Sequence, residues 1–335
     1  MRLRPLIVIL GWLCSISCSP ILPLANPFSG GPPAGPPKEE GLLGPEILRI
    51  IVLDVGQGKP LPANPLDFFV YAFFLPTFFQ GPIERLDEFR NNLAGRLSLN
   101  WSETGKNLIR IIGAFVKGWV VMRYLELDWK RYFDYPQGLS YSMLVWGMYA
   151  RAIGFYLFVS AANDLTIACS AIAGYRINEN YDYPYFKRNL AQFWRSWHMT
   201  LVRFLRDYVY LPLGGNRRHV FLNYLVIFLG VALWHVTSTA FVIWGLWHGL
   251  GMCLLKKWQD FWASVEEANR PGLVNSLQKW ARRHPKMVTA VSTLVTFHFV
   301  ALGWLPFWGG HPQGVGMAVR LLTGNHLTLF EWAPP

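Results

Sequence analysis

The chain has 335 residues, of which 52% are hydrophobic and 16% aromatic, while only 15% are charged. Soluble domains carry about 25% charged residues, so this low charged fraction argues against a soluble globular protein. It favours a membrane protein, whose partner is the lipid bilayer. The net charge of +11 does not indicate nucleic-acid binding. The Lys and Arg residues stand beside apolar segments, as in loops that flank membrane spans and contact anionic headgroups.

The N-terminal fifth of the chain differs in composition from the remainder. Residues 1–19 have a basic start and an apolar run, which predicts a signal-like segment or a single short span. Residues 20–64 are dominated by Pro and Gly and are interpreted as a linker that cannot pack a core. A transmembrane domain is predicted for residues 65–308, followed by a short tail, 309–335.

Within that domain, apolar segments predict an all-α protein that crosses the membrane several times. The segment 67–89 reads as a span, and 107–127 as a second span or an interfacial helix. Residues 139–174 are long enough for two helices, or for one helix with a re-entrant piece. The predicted later spans are a hairpin of 220–236 and 238–255, and a final helix over 287–308. The charged segments 256–272 and 279–286 are predicted to form an interfacial or soluble loop.

Three Trp-His pairs lie in or beside these apolar segments: Trp197-His198, Trp234-His235 and Trp247-His248. An ionisable side chain at membrane depth is costly, so it suggests a functional site. The alternative is that these imidazoles are core or interfacial groups whose polar atoms are satisfied by backbone carbonyls, as we expect for His298.

Histidine suits proton transfer near neutral pH. Acylation of a hydroxyl needs a base that takes the proton while the oxygen attacks the acyl carbonyl. An imidazole in apolar surroundings stays neutral and can accept that proton, which makes His235 the candidate base. His198 could orient this base or donate to the carbonyl oxygen as charge develops. The residues alone therefore predict a membrane enzyme with buried histidines.

A basic segment, 203–218, separates the first two pairs, and Asp207 is the only acid between residues 187 and 218. Its cations, among them Arg206, could be a solvated face or could receive an anionic thioester donor. The segment lacks the Lys-Ser/Thr ending of a Walker motif, and the chain has neither a Gly-x-Ser-x-Gly elbow nor an HExxH metal motif. Neither a resident metal nor a tightly bound cofactor is predicted.

The chain resembles the membrane-bound O-acyltransferase (MBOAT) family, and within it the bacterial branch of alginate O-acetylation proteins. The resemblance covers roughly residues 65–308 and is carried by five segments. They are FFLPTFFQGPIER (73–85), GYRINENYDYPYF (174–186), FWRSWHMTLVRFLRDYVYLPLGGNR (193–217), LWH with FVIWGLWHGL (233–250), and HFVALGWLPF (298–307).

The resemblance implies a helical ring around a central tunnel in which donor and acceptor meet. It implies transfer of an acyl group, with acetyl favoured, from acetyl-CoA or an acyl carrier to a hydroxyl of an exopolysaccharide or cell-envelope polymer. By position, His235 is the family histidine, His198 the second and His248 a third in the next helix; Trp234, Trp197, Asp207 and Arg206 are supporting candidates. An inner-membrane location and periplasmic or membrane acetylation partners are also implied.

The chain departs from the family pattern at several positions. Val236 follows His235 where the family has Gly, and FVSAAND (158–164) keeps only Asp164 of the usual segment. Several N-terminal spans of the family are not matched. Two alternatives therefore stay open: a membrane scaffold that kept the fold but lost the chemistry, and an anion transporter that uses the basic segment.

Overall fold

The computed structural model describes residues 64–74, 82–94, 101–121, 140–235, 238–268, 272–309 and 312–324. The signal-like start, almost all of the linker, Pro76 and Val236 lie outside these ranges. The helices, in chain order, are α1 (Pro65–Ala72), α2 (Leu86–Ala94), α3 (Trp101–Phe115), α4 (Tyr141–Ile172), α5 (Leu190–Trp194), α6 (Met199–Leu205), α7 (Val220–His235), α8 (Thr239–Ala268), α9 (Leu273–Arg283), α10 (Pro285–Gly309) and α11 (Pro312–Thr323).

The described ranges contain no strand, only a single antiparallel bridge between Tyr181 and Trp197. The prediction of an all-α membrane protein is confirmed, whereas the central tunnel stays a prediction. Two π-helical turns, Val116–Val121 and Arg206–Tyr210, continue α3 and α6.

Three helices are long and apolar enough to cross a bilayer: α4 over 32 residues, α8 over 28 (Thr239–Glu266) and α10 over 23 (Pro285–Phe307). Residues 141–172 form one unbroken helix, so neither predicted arrangement, two helices or one helix with a re-entrant piece, is correct. The helix begins at Ser140, whose hydroxyl accepts a hydrogen bond from the Met143 amide at 3.3 Å. A side-chain oxygen at this position satisfies one of the free amides of the first turn.

Two predicted boundaries are wrong. In the first apolar segment, which the sequence predicts as a span broken at Pro76, the first helix is shorter than expected: α1 ends at Ala72, and α2 begins at Leu86. The charged segment after residue 255 is not a loop, because α8 continues through it to Ala268 and α9 follows. Lys256 and Asp260 form an ion pair one helical turn apart in this stretch, an arrangement that supports a helix.

The core is aromatic and closely packed. Trp244, Trp304 and Phe193 are among its buried side chains. A β-carbon on Gly245 of α8 would lie 2.8 Å from the Phe228 carbonyl oxygen of α7, so this hairpin needs glycine at its contact. The core continues past residue 308, since α11 buries side chains against α10 and α4.

Candidate functional site

His198 lies in a sharp break between two short helices rather than within one helix. It has a left-handed backbone conformation (φ 46°, ψ 55°) immediately before α6. The helical spacing of His198, Val202 and Leu205 predicts a helix that starts with FWRSWH and runs to the stop at Gly214-Gly215. This prediction is wrong, because the chain breaks at His198 between α5 and α6. A left-handed conformation is unfavourable for a residue with a β-carbon, so surrounding contacts must hold it.

Those contacts come from the polar segment that precedes α5. The Met199 amide donates to the Asn180 carbonyl at 2.9 Å, and the Asp182 amide donates to the Ser196 carbonyl at 3.0 Å. These bonds flank the Tyr181–Trp197 bridge. The backbone around His198 is thus tied to a second segment 18 residues earlier in the chain.

The Asn180 side chain, only 1% exposed, fixes the His198 ring. Its Oδ1 accepts hydrogen bonds from the Thr200 amide (3.1 Å) and the Thr200 hydroxyl (2.9 Å), and it lies 3.2 Å from His198 Nδ1. An amide N–H can only donate, so the Asn180 atom that faces it is the oxygen, and His198 Nδ1 must carry the proton. In the neutral ring, His198 Nε2 then keeps its lone pair.

His235 ends α7 and is partly exposed. Aromatic rings surround its imidazole: ring centroids lie 4.5 Å away for Trp234, 5.2 Å for Phe307 and 5.9 Å for Phe241. The Phe307 ring also lies 5.1 Å from that of Trp304, and the Trp304 ring lies 5.0 Å from that of Trp197, the neighbour of His198. The structure therefore places the two histidines, 37 residues apart in the chain, beside one aromatic cluster.

The third histidine, His248, is fully enclosed, with no exposed surface. Its ring centroid lies 4.9 Å from that of Trp194 and 5.1 Å from that of Trp244, and neither ring nitrogen has a hydrogen-bond partner among the described residues. Gly303 packs directly on it, since a β-carbon there would lie 2.6 Å from His248 Nε2. The next residue, Gly249, is closely packed too, since a β-carbon there would lie 3.0 Å from the Leu225 side chain. His248 is thus less accessible to a substrate than His235.

The other predicted site residues occupy two different positions. Trp197 is buried beside His198, and its ring lies 5.0 Å from that of Trp304. Asp207 is not paired with a histidine in the described part of the chain; it binds Arg85 and lies 3.5 Å from the Arg206 guanidinium. Arg206 is 63% exposed, in keeping with a solvated basic face.

A buried carboxylate, Glu84, joins the loop before α2 to the segment that holds His198. It accepts hydrogen bonds from the backbone amide (2.6 Å) and side-chain amide (2.8 Å) of Asn178. The neighbouring Ile83 amide donates to the Thr200 hydroxyl at 2.9 Å. Burial raises the pKa of Glu84 to about 7, although the bonds from Asn178 oppose this shift.

Asp164, the acid retained from the family segment, pairs with two cations on α3 and its continuation. Arg110 Nε lies 2.7 Å from its carboxylate and Lys117 Nζ lies 2.5 Å from it. Arg110 also binds Glu179 at 2.6 Å, which links α3 to the polar segment. The predicted structural role of His298 agrees with its contact with the Tyr149 hydroxyl, 2.6 Å from Nδ1.

Sequence reasoning missed Asn180, Thr200 and Glu84. All three lie inside segments that carry the family resemblance, but polar residues in a loop are more often exposed than buried. The one available signal was the density of Asn residues in NENYDYPYF immediately before the first Trp-His pair. No group of three His, Cys, Asp or Glu side chains in the described ranges is placed to hold a metal ion.

Comparison with known proteins identifies the class to which this fold and site belong. The sequence model of the membrane-bound O-acyltransferase family matches residues 53–283, and the chain belongs to that family. It is a multi-pass membrane protein.

Relatives of the chain are named for the acylation of alginate, peptidoglycan or teichoic acid. The chain is 27% identical to the "probable alginate O-acetylase AlgI" of Pseudomonas fluorescens over 84% of this chain and 52% of the relative. It is 28% identical to the peptidoglycan O-acetyltransferase of Helicobacter pylori, over 81% and 50%. It is 25% identical to the teichoic acid D-alanyltransferase of Bacillus subtilis, over 75% and 62%. The chain spans about half the length of the first two relatives.

Proposed function

We propose that this protein is an O-acyltransferase of the inner membrane that moves an acetyl group from a thioester donor to a hydroxyl of an exopolysaccharide or envelope polymer. The observation that carries the proposal is that His235 and His198, whose ring Asn180 holds, border one aromatic cluster in a member of the MBOAT family. The relatives' names support the reaction class and the kind of acceptor.

In the proposed reaction, His235 takes the proton from the acceptor hydroxyl as its oxygen attacks the thioester carbonyl. A new carbon–oxygen bond forms, and the tetrahedral intermediate then expels the thiolate. The proton held by His235 passes to the departing sulfur. The thioester donor, acetyl-CoA or an acyl carrier, enters as a co-substrate.

His198 is assigned a supporting role. With Nδ1 bound to Asn180, its Nε2 can accept a hydrogen bond or hold a proton during the reaction. The sequence suggested that His198 could instead donate to the carbonyl oxygen, but a neutral ring in this tautomer has no Nε2 proton to donate. Aromatic rings pack around His235 and lower the local polarity, which strengthens electrostatic interactions among the reacting groups.

The test is to measure ester-linked acetate on extracellular and envelope polysaccharide by mass spectrometry. The host is a bacterium that makes the donor and the polymer but lacks its own transferase. Cells would carry no protein, the native protein, His235→Ala, His198→Ala or His284→Ala, at matched membrane levels. His284→Ala is the matched control, because this histidine is exposed and its Nδ1 lies 2.9 Å from the Trp280 carbonyl one turn away.

We expect ester with the native protein and with His284→Ala, and a loss of about 10²–10⁴-fold in rate with His235→Ala, the usual contribution of a general base. Full activity of His235→Ala together with loss in His248→Ala would move the base to His248. No ester from the native protein in a competent host would refute the enzyme and favour the scaffold. Label accumulating in vesicles without ester would favour transport.

A further inference from the structure

One end of the helical domain is strongly basic. The start of α7, the end of α8, α9 and the start of α10 meet there: Lys257 Nζ lies 5.7 Å from the Phe221 ring of α7, and Arg282 of α9 pairs with Glu266 of α8 at 2.7 Å. Between residues 256 and 286 the chain has seven basic and three acidic residues. The connections at the other ends of these helices, 236–238 and 310–311, contain no Lys, Arg, Asp or Glu.

Helix α9 is amphipathic and its apolar face is uncovered. Leu273, Val274, Leu277 and Trp280 fall on one side of the helix and are 77%, 38%, 49% and 45% exposed. None of the residues of α9 is buried. The opposite side carries the polar and basic residues Gln278, Lys279, Arg282 and Arg283. A short helix with this division of residues lies in the plane of a membrane interface, with its apolar side toward the acyl chains.

The chain connections place α9 at the membrane surface. It follows the long apolar helix α8 after four residues, 269–272, and a single residue, His284, separates it from the long apolar helix α10. A helix held so closely between two spans cannot move far from the bilayer. The apolar face of α9 is therefore within reach of the lipid, which favours lipid over a protein partner.

The neighbouring surface of α8 has the composition of a membrane interface as well. Leu254, Leu255, Trp258 and Phe261 line an open groove together with Lys257. Trp258 and Phe261 are 60% and 47% exposed. Exposed aromatic rings beside Lys side chains are typical of the headgroup level, where rings reach the acyl chains and ammonium groups reach phosphates.

We propose that α9 lies flat in an anionic phospholipid leaflet, with Leu277 and Trp280 among the acyl chains. Lys279 and Arg283 would contact phosphate groups, and the α8 groove would accommodate a lipid chain whose headgroup meets Lys257. By the positive-inside rule this leaflet is the cytoplasmic one. The proposal concerns a lipid site and does not depend on acyl transfer.

The experiment uses the full chain with Cys14, Cys18, Cys169 and Cys253 replaced by Ser. A single fluorescent probe is attached at Leu277→Cys or at Gln278→Cys, the matched control on the adjacent polar side. Each protein is reconstituted in vesicles of phosphatidylcholine alone, or of an equal mixture of phosphatidylcholine and phosphatidylglycerol. Quenching is measured with nitroxide lipids in the bilayer and with iodide in the water.

We expect nitroxide lipids to quench the Leu277 probe at least about twofold more than the Gln278 probe, because only the apolar side enters the acyl region. The difference should increase with phosphatidylglycerol. The double substitution Lys279→Gln and Arg283→Gln should remove that increase while leaving thermal stability unchanged. Equal iodide quenching of the Leu277 and Gln278 probes would overturn the proposal and would favour a protein partner on the apolar face. Nitroxide quenching that is the same with and without phosphatidylglycerol would overturn the anionic-lipid assignment.

Discussion

Replacement of Asn180 by Ala tests whether the polar segment positions His198, the proposed partner of the base His235. The substitution removes the oxygen that accepts from the Thr200 amide at 3.1 Å and from His198 Nδ1 at 3.2 Å. The Thr200 amide is buried and would lose its partner, which costs about 1–3 kcal/mol of stability. The His198 ring would lose the bond that sets its tautomer.

The effect on catalysis should exceed the effect on folding. Misplacement of a catalytic group by about 1 Å can lower the rate on the order of 10²-fold, so we expect kcat to fall by that factor with little change in KM for the donor. Asn180→Asp keeps an acceptor oxygen and should recover part of the rate. Its carboxylate favours the protonated imidazole, so the lower limb of the pH–rate profile should shift to higher pH.

The assay is transfer of labelled acetyl from a thioester to polysaccharide in membrane vesicles, with thermal stability measured in parallel. Asn189→Ala is the matched control: Asn189 caps α5 by accepting from the Gln192 amide at 2.9 Å, and its loss should cost about 1 kcal/mol. We expect this control to lose stability but keep its pH profile. If Asn180→Ala keeps both kcat and the native profile, Asn180 has only a structural role and our reasoning is refuted.

Two further predictions concern stability. A β-carbon on Gly314 would lie 2.3 Å from the Leu305 carbonyl oxygen, so Gly314→Ala should cost about 1–3 kcal/mol of stability in thermal unfolding. A β-carbon on Gly316 in the same helix meets nothing within 4 Å, so Gly316→Ala should be neutral or stabilising. Equal effects of the two substitutions would contradict the packing of α11 on α10. The pKa of Glu84 is raised from 4.5 to about 7, so the folded state holds this proton more tightly than the unfolded state does. The free energy of unfolding should therefore fall by up to about 3 kcal/mol as the pH rises from 4.5 to about 7. Glu84→Gln should flatten this dependence in unfolding curves measured from about pH 5 to 8; an unchanged slope would assign the pH dependence to other groups.

Long apolar runs were sufficient to predict α7 and α10, because a segment of that length with few charges has no other stable arrangement in a bilayer. The family motif likewise singled out His198 and His235 without a structure, and their catalytic roles stay a prediction. The same reasoning failed for α9 and the end of α8. Charged residues there suggested a loop, although alternation of charge at helical spacing stabilises a helix at an interface.

Only the tertiary structure decided which polar groups meet. Asp207 binds Arg85, 122 residues away in the chain, and Asn180 binds His198 across a break in the helix. Such pairs depend on how the helices pack, and no local pattern encodes them. The enclosure of His248 has the same origin. In sequence, the Trp247-His248 pair is as good a candidate site as Trp234-His235. In the structure, however, Gly303 of α10 packs on the His248 ring and helps to bury it. This contact depends on how the two helices pack.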